Sequence, residues 1–185
     1  METVTARIRC PGCGLCLPDH RHDPPDRFNA SGVCWQQYSN LSCETVARQD
    51  PAFIHQHAVD AYAAQHAGGR TRNITVAFGL IGLYLALEKG YTGKQVRRAH
   101  MQIARIRKDW PRLEPPVHPA GITVADVLKA GTDAEKDAMI RQWMTAVWAS
   151  WADRQGWVRG MTEELLNREG SSHISCRSGK TNQHR

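Results

Sequence analysis

Apolar residues recur along most of this chain at three- and four-residue intervals, the period of an amphipathic helix. The clearest stripe is Ile140, Trp143, Met144, Val147, Trp148 and Trp151, which places one aromatic-rich face toward a core. Thr132 and Glu135 form a capping box in front of it, so the spacing predicts a helix from residue 133 to about 155. Residues 74–87 (ITVAFGLIGLYLAL) are apolar nearly all round and predict a central, buried helix, with Asn73 as its cap and Gly90 past its end. Further helices are predicted over residues 35–48, 51–66, 93–108 and 162–168, with a short one opening at Thr123. Asp50 and Pro51 read as the N-cap and first residue of the second of these, and Gly68 and Gly69 as its stop.

Two stretches break the pattern. Residues 1–33 carry Pro11, Pro18, Pro24, Pro25, Gly12, Gly14 and Gly32 with little periodicity. A segment so long without regular structure needs an organiser such as a metal ion. Residues 109–121 hold four prolines and form a connection. The expected fold is all-α: a helical bundle with an irregular N-terminal zinc-knuckle segment. We divide it into a metal-binding segment (1–34), the bundle (35–169) and a disordered polar tail (170–185), within a single domain of 185 residues.

The longest apolar run is too short for a membrane span, and the first residues lack the apolar stretch of a secretory signal. A cytoplasmic protein is expected. In a reducing compartment clustered cysteines read as metal ligands or redox groups rather than disulfides.

That bears on RCPGCGLCLP, residues 9–18. Cys10-x-x-Cys13-Gly14 is half of a zinc site, because proline and glycine favour the tight turn that aims two thiolates at one ion. The other ligands come from Cys16, His20, His22, Cys34, Cys43 or later histidines. If helices 35–48 and 51–66 form an antiparallel hairpin, facing residues have numbers summing to about 99, which sets Cys34 beside His66. The expected site is Cys10, Cys13, Cys34 and His66. An iron–sulfur cluster on Cys10, Cys13, Cys16 and Cys34 is the rival, and His66 can also be read as a cation at a helix C-terminus.

The same pairing puts Glu44 beside His55, and His100 offers a third ligand from a later helix. Two histidines and a carboxylate suit a second divalent metal with open positions. Tyr62 would donate protons there and Asp60 would orient the ligands. Glu44, His55, Tyr62 and His100 are therefore the candidate catalytic residues, for chemistry on a small molecule of unknown identity.

CPGCG, the later Cys34, HQHAVDAYAAQH and VAFGLIGLYLALEKG together resemble the bacterial domain-of-unknown-function family 5946 over residues 9–110. That family's pattern falls on Cys10, Cys13, Cys34, Glu44, His55, Asp60, Tyr62, Gln65 and His66. Ala67 stands where the family usually has proline, and Cys16 is an addition. The resemblance implies no activity.

Net charge is +6. Residues 168–185 contribute four basic residues and one acid, which inflates it. A second source is a basic stripe on the 93–108 helix, including Arg98 and Arg105, which suits nucleic-acid phosphates. Three classes of function follow. The first is a metal-dependent enzyme. The second is a zinc-stabilised module binding nucleic acid or protein. The third is a thiol redox or metal sensor using Cys16 or Cys43.

Overall fold

Short polar caps and one all-apolar helix set the architecture. The computed structural model describes residues 6–20 and 22–175. Among them lie seven helices: α1 (Gly32–Ala47), α2 (Ile54–Gln65), α3 (Asn73–Leu87), α4 (Gly93–Ile106), α5 (Val124–Leu128), α6 (Asp133–Ser150) and α7 (Ala152–Ser175). The fold is all-α, as the periodicity predicts.

Helix α3 is central. Val76, Ala77, Leu80, Ile81, Leu83, Tyr84 and Leu85 are all buried, which is why no polar face interrupts its sequence. It packs against α2, α4, α6 and α7. The approach to α2 is close: a Cβ on Gly79 would meet the Asp60 carbonyl oxygen at 2.8 Å, and one on Gly82 would meet the Asp60 carboxylate at 2.0 Å. The α6 stripe is buried as expected, and Trp143 donates from Nε1 to Gln65 Oε1 at 2.9 Å. Gln65 in turn donates to the Ile122 carbonyl at 2.8 Å, fixing the proline-rich connection to the core.

Several boundaries differ from expectation: α1 spans Gly32–Ala47 rather than 35–48, α4 ends at Ile106 rather than at residue 108, and Arg72 rather than Asn73 is the N-cap of α3. The N-terminal segment contains a small antiparallel hairpin, β1 (Arg7–Arg9) paired with β2 (Cys16–Pro18), with Arg9 opposite Cys16. Helix α2 begins at Ile54 rather than Pro51. The Asp50 carboxylate accepts from the Ala52 and Ile54 amides (3.0 and 2.7 Å), and Phe53 sits in the left-handed region at φ 59°. Asp50-Pro51 thus closes a turn and caps the helix from four residues upstream. The predicted 133–155 helix breaks at Trp151, where the Ser150 hydroxyl and the Gln155 amide take the Val147 and Trp148 carbonyls. Helix α7 then runs far beyond the predicted 162–168. The expected tail is helical over residues 170–175, and residues 176–185 lie outside the described residues.

Among the described residues no helix is long and apolar enough to cross a membrane.

Candidate metal centre

The hairpin frames a knuckle. Strand β1 delivers Cys10, whose amide donates to the Leu15 carbonyl (2.8 Å), and the Gly14 amide donates back to the Cys10 carbonyl (2.9 Å). Gly14 at φ +76° closes this turn, a conformation that L side chains rarely take. The result sets Cys10 and Cys13 facing inward. Cys34 enters from the first turn of α1, whose N-cap Ser31 accepts from the Cys34 amide at 3.3 Å. His66 follows the last residue of α2.

Cys10, Cys13, Cys34 and His66 converge, with ligand atoms all within 4.8 Å of one another, and all four are buried. Cys13 and Cys34 sulfurs are 3.7 Å apart, and Cys34 Sγ lies 3.3 Å from His66 Nε2. A tetrahedron with metal–sulfur bonds of about 2.3 Å has edges of about 3.8 Å, so the spacing suits one ion. It is too wide for a disulfide, and the three cysteines are free.

The histidine is pre-set for this role. His66 Nδ1 donates to the Tyr62 carbonyl at 2.9 Å, which fixes the tautomer and leaves Nε2 as a lone-pair donor. The Thr71 hydroxyl donates to the His66 carbonyl at 2.5 Å, and the Asn29 amide bonds to both that carbonyl and Thr71. Tyr62 stacks on the His66 ring at 3.9 Å, with its hydroxyl 3.8 Å from Cys34 Sγ.

Electrostatics point the same way. Hydrogen bonds from Cys13 and then Cys34 hold the Cys10 thiol far below its usual range. The Cys10 neighbour pushes Cys13 up to about 12, and hydrogen bonding to Cys10 and Cys13 drives Cys34 higher still. Three thiolates packed this close repel one another, so their joint ionisation needs a compensating cation. A divalent cation lets all three ionise.

Gly12 is an unforeseen participant. A Cβ there would meet the Asn29 carbonyl oxygen at 2.5 Å and His66 Cδ2 at 2.7 Å. Gly12→Ala is expected to cost about 1–3 kcal/mol and to weaken metal retention, measured by denaturant unfolding in the presence of zinc. The sequence signal was the CPGC glycine itself, read only as a turn former. Asn29 and Thr71 gave no signal, because their role depends on the chain returning beside His66.

The other candidates are dispersed. The hairpin pairing holds with a sum of 100: Cys34 meets His66, and Thr45 meets His55. His55 Nδ1 donates to Thr45 Oγ1 at 2.9 Å, since the Thr45 proton goes to the Leu41 carbonyl. Glu44, one residue off, is exposed and pairs with Lys136 of α6. His100 is buried at the α3–α4 contact with its ring 4.9 Å from Phe78, and burial lowers its pKa to about 4. Glu44, His55 and His100 do not share one site: among the described residues only the Cys3His group has metal-ligand spacing. Tyr62 belongs to the wall of that group, and Asp60 lies between α2 and α3. Cys16 and Cys43 are exposed and outside it, as are His20 and His22.

Fold and site together define an all-α protein organised around a buried Cys3His group able to hold a metal ion. The chain belongs to the family of unknown function DUF5946, which it matches over residues 8–152. No curated protein and no solved structure matches it.

Proposed function

We propose that Cys10, Cys13, Cys34 and His66 bind one zinc ion, and that the ion serves the fold, making the protein a zinc-stabilised helical module whose function lies on its surface. The observation that carries this is the buried convergence of three sulfurs and one imidazole nitrogen. Thiolate-rich donors with one histidine suit zinc, and four protein ligands fill a tetrahedral ion and leave no position for substrate. The ligands come from the N-terminal hairpin, the start of α1 and the end of α2, so the ion ties the hairpin to two helices that already pack on each other through Tyr38 and Tyr62.

Elemental analysis of untagged protein purified without oxygen should give one zinc per chain. Cys13→Ser should abolish it, while Cys16→Ser and Cys43→Ser should retain it. Iron with matching acid-labile sulfide, or zinc lost with Cys16→Ser, would overturn the assignment.

A further inference from the structure

We infer that helix α4 is a docking face for the phosphate backbone of duplex DNA. Residues 93–108 contain Lys94, Arg97, Arg98, Arg105, Arg107 and Lys108 and no acid, so this segment alone carries as much charge as the net +6 of the chain. At about 100° per residue, Lys94, Arg98, Met101 and Arg105 share one stripe of α4, roughly 17 Å long at 1.5 Å per residue, and Lys108 follows just past the last helical residue, Ile106. All five are exposed.

These cations are also free of acids. Elsewhere Arg48, Lys89, Arg112, Lys129, Lys136, Arg159 and Arg168 each pair with a carboxylate, while others among the described residues, such as Arg9, Arg70 and Arg141, also form no ion pair. Among the described residues none of the six on 93–108 forms an ion pair. What sets this segment apart is density: six cations fall within sixteen residues, with no acid among them. A row of one sign along a straight rod matches a polyanion, whose condensed counterions it would release.

Two observations narrow the partner. The apolar side of α4, with Val96, Ala99 and Ile103, is already buried in the bundle, and the exposed Met101 and Ile106 stand singly among cations rather than forming an apolar face for lipid. The aromatic rings nearby lie under cations: Arg97 covers Phe53 at 5.6 Å and Arg107 covers Trp110 at 5.1 Å. Both rings are taken by these cations, whereas single-strand binders stack unpaired bases on open rings. The inference is independent of which metal the Cys3His group holds.

The test is fluorescence anisotropy of a labelled duplex of about 20 base pairs with the full zinc-loaded chain. Engagement of four phosphates predicts that affinity falls by about 100-fold between 50 and 200 mM salt. Arg98→Ala with Arg105→Ala should weaken binding at least tenfold and flatten the salt slope by about 2, with metal content and circular dichroism unchanged. The pair Arg112→Ala with Lys129→Ala removes the same charge off the face and should leave affinity near wild type. Absent or salt-insensitive binding, or equal loss from both pairs, overturns the inference. So does competition in which phosphatidylserine vesicles displace the duplex at equal charge concentration, which would assign the face to a lipid surface.

Discussion

Cys34→Ser should release the N-terminal segment from the bundle and cost more stability than any other single change in this protein. Cys34 is fully buried and touches Cys13, His66 and Tyr62 within 4 Å. Replacing its sulfur leaves the ion with three strong ligands and so favours its loss, after which Cys10 and Cys13 are buried without a counter-cation. Structural zinc contributes folding free energy directly, on the order of 10 kcal/mol in small zinc domains, against a total stability of about 5–15 kcal/mol for a typical domain. We expect a loss of at least about 5 kcal/mol, read in chemical denaturation with zinc present. The loss should be local in its onset. Helices α1 and α2 keep the Tyr38–Tyr62 stack at 3.9 Å and the Thr45–His55 bond, and α2 keeps its packing on α3 and α6. Hydrogen exchange should therefore show residues 6–20 and 22–31 opening while α3 and α6 stay protected. Removing the metal from wild type with a chelator should give the same pattern. Full zinc retention and an unchanged melting temperature in Cys34→Ser would remove Cys34 from the site.

How much of this was readable beforehand depends on the range of the interaction. The four residues of the Cys3His group were legible because one short motif and one hairpin assumption sufficed: Cys10 and Cys13 are local, and Cys34 and His66 sit at matching ends of adjacent helices. The same assumption failed one residue away. A facing sum of 100 in place of 99 exchanges Glu44 for Thr45 beside His55, and a step of one residue turns a side chain by about 100° to another face. His100 was misplaced for a different reason. Its helix packs on α3 and its ring rests on Phe78, a contact between faces that periodicity ranks only as apolar. The hairpin β1–β2 was missed because three-residue strands carry too little alternation to register. The break at Trp151 arises from side chains capturing carbonyls, which no hydrophobic stripe records. Both helices flanking it are apolar on the expected side, so the core was legible even where the element boundary was not.

Asp60 should make the protein less stable as pH rises, and Asp60→Asn should remove that dependence. Its side chain is 2 % exposed, takes one hydrogen bond from Gln56 Nε2 at 3.0 Å, and leaves Oδ2 without a partner. Burial drives its pKa well above the usual carboxyl range, only partly offset by Gln56. A group that binds its proton more tightly when folded stabilises the fold fully below its unfolded pKa, near 3.9, and loses that contribution as pH rises through the folded value. Within this window stability should fall by up to about 1.4 kcal/mol per pH unit relative to Asp60→Asn. Carboxylates such as Glu88, held low by Arg159, act in the opposite sense, but they are common to both proteins and cancel in the difference. Urea denaturation of the two proteins at intervals from pH 4 to 7 measures it, and parallel curves would show that Asp60 is not buried as described. Gly82 provides the geometric half of the test, because its missing Cβ is the space that the carboxylate occupies. Gly82→Ala should cost about 1–3 kcal/mol, and less when combined with Asp60→Ala, since the two changes share one contact. Additive costs would show that Asp60 is not what opposes a Cβ at position 82. The predicted coupling therefore joins the pH dependence to one packed contact between α2 and α3.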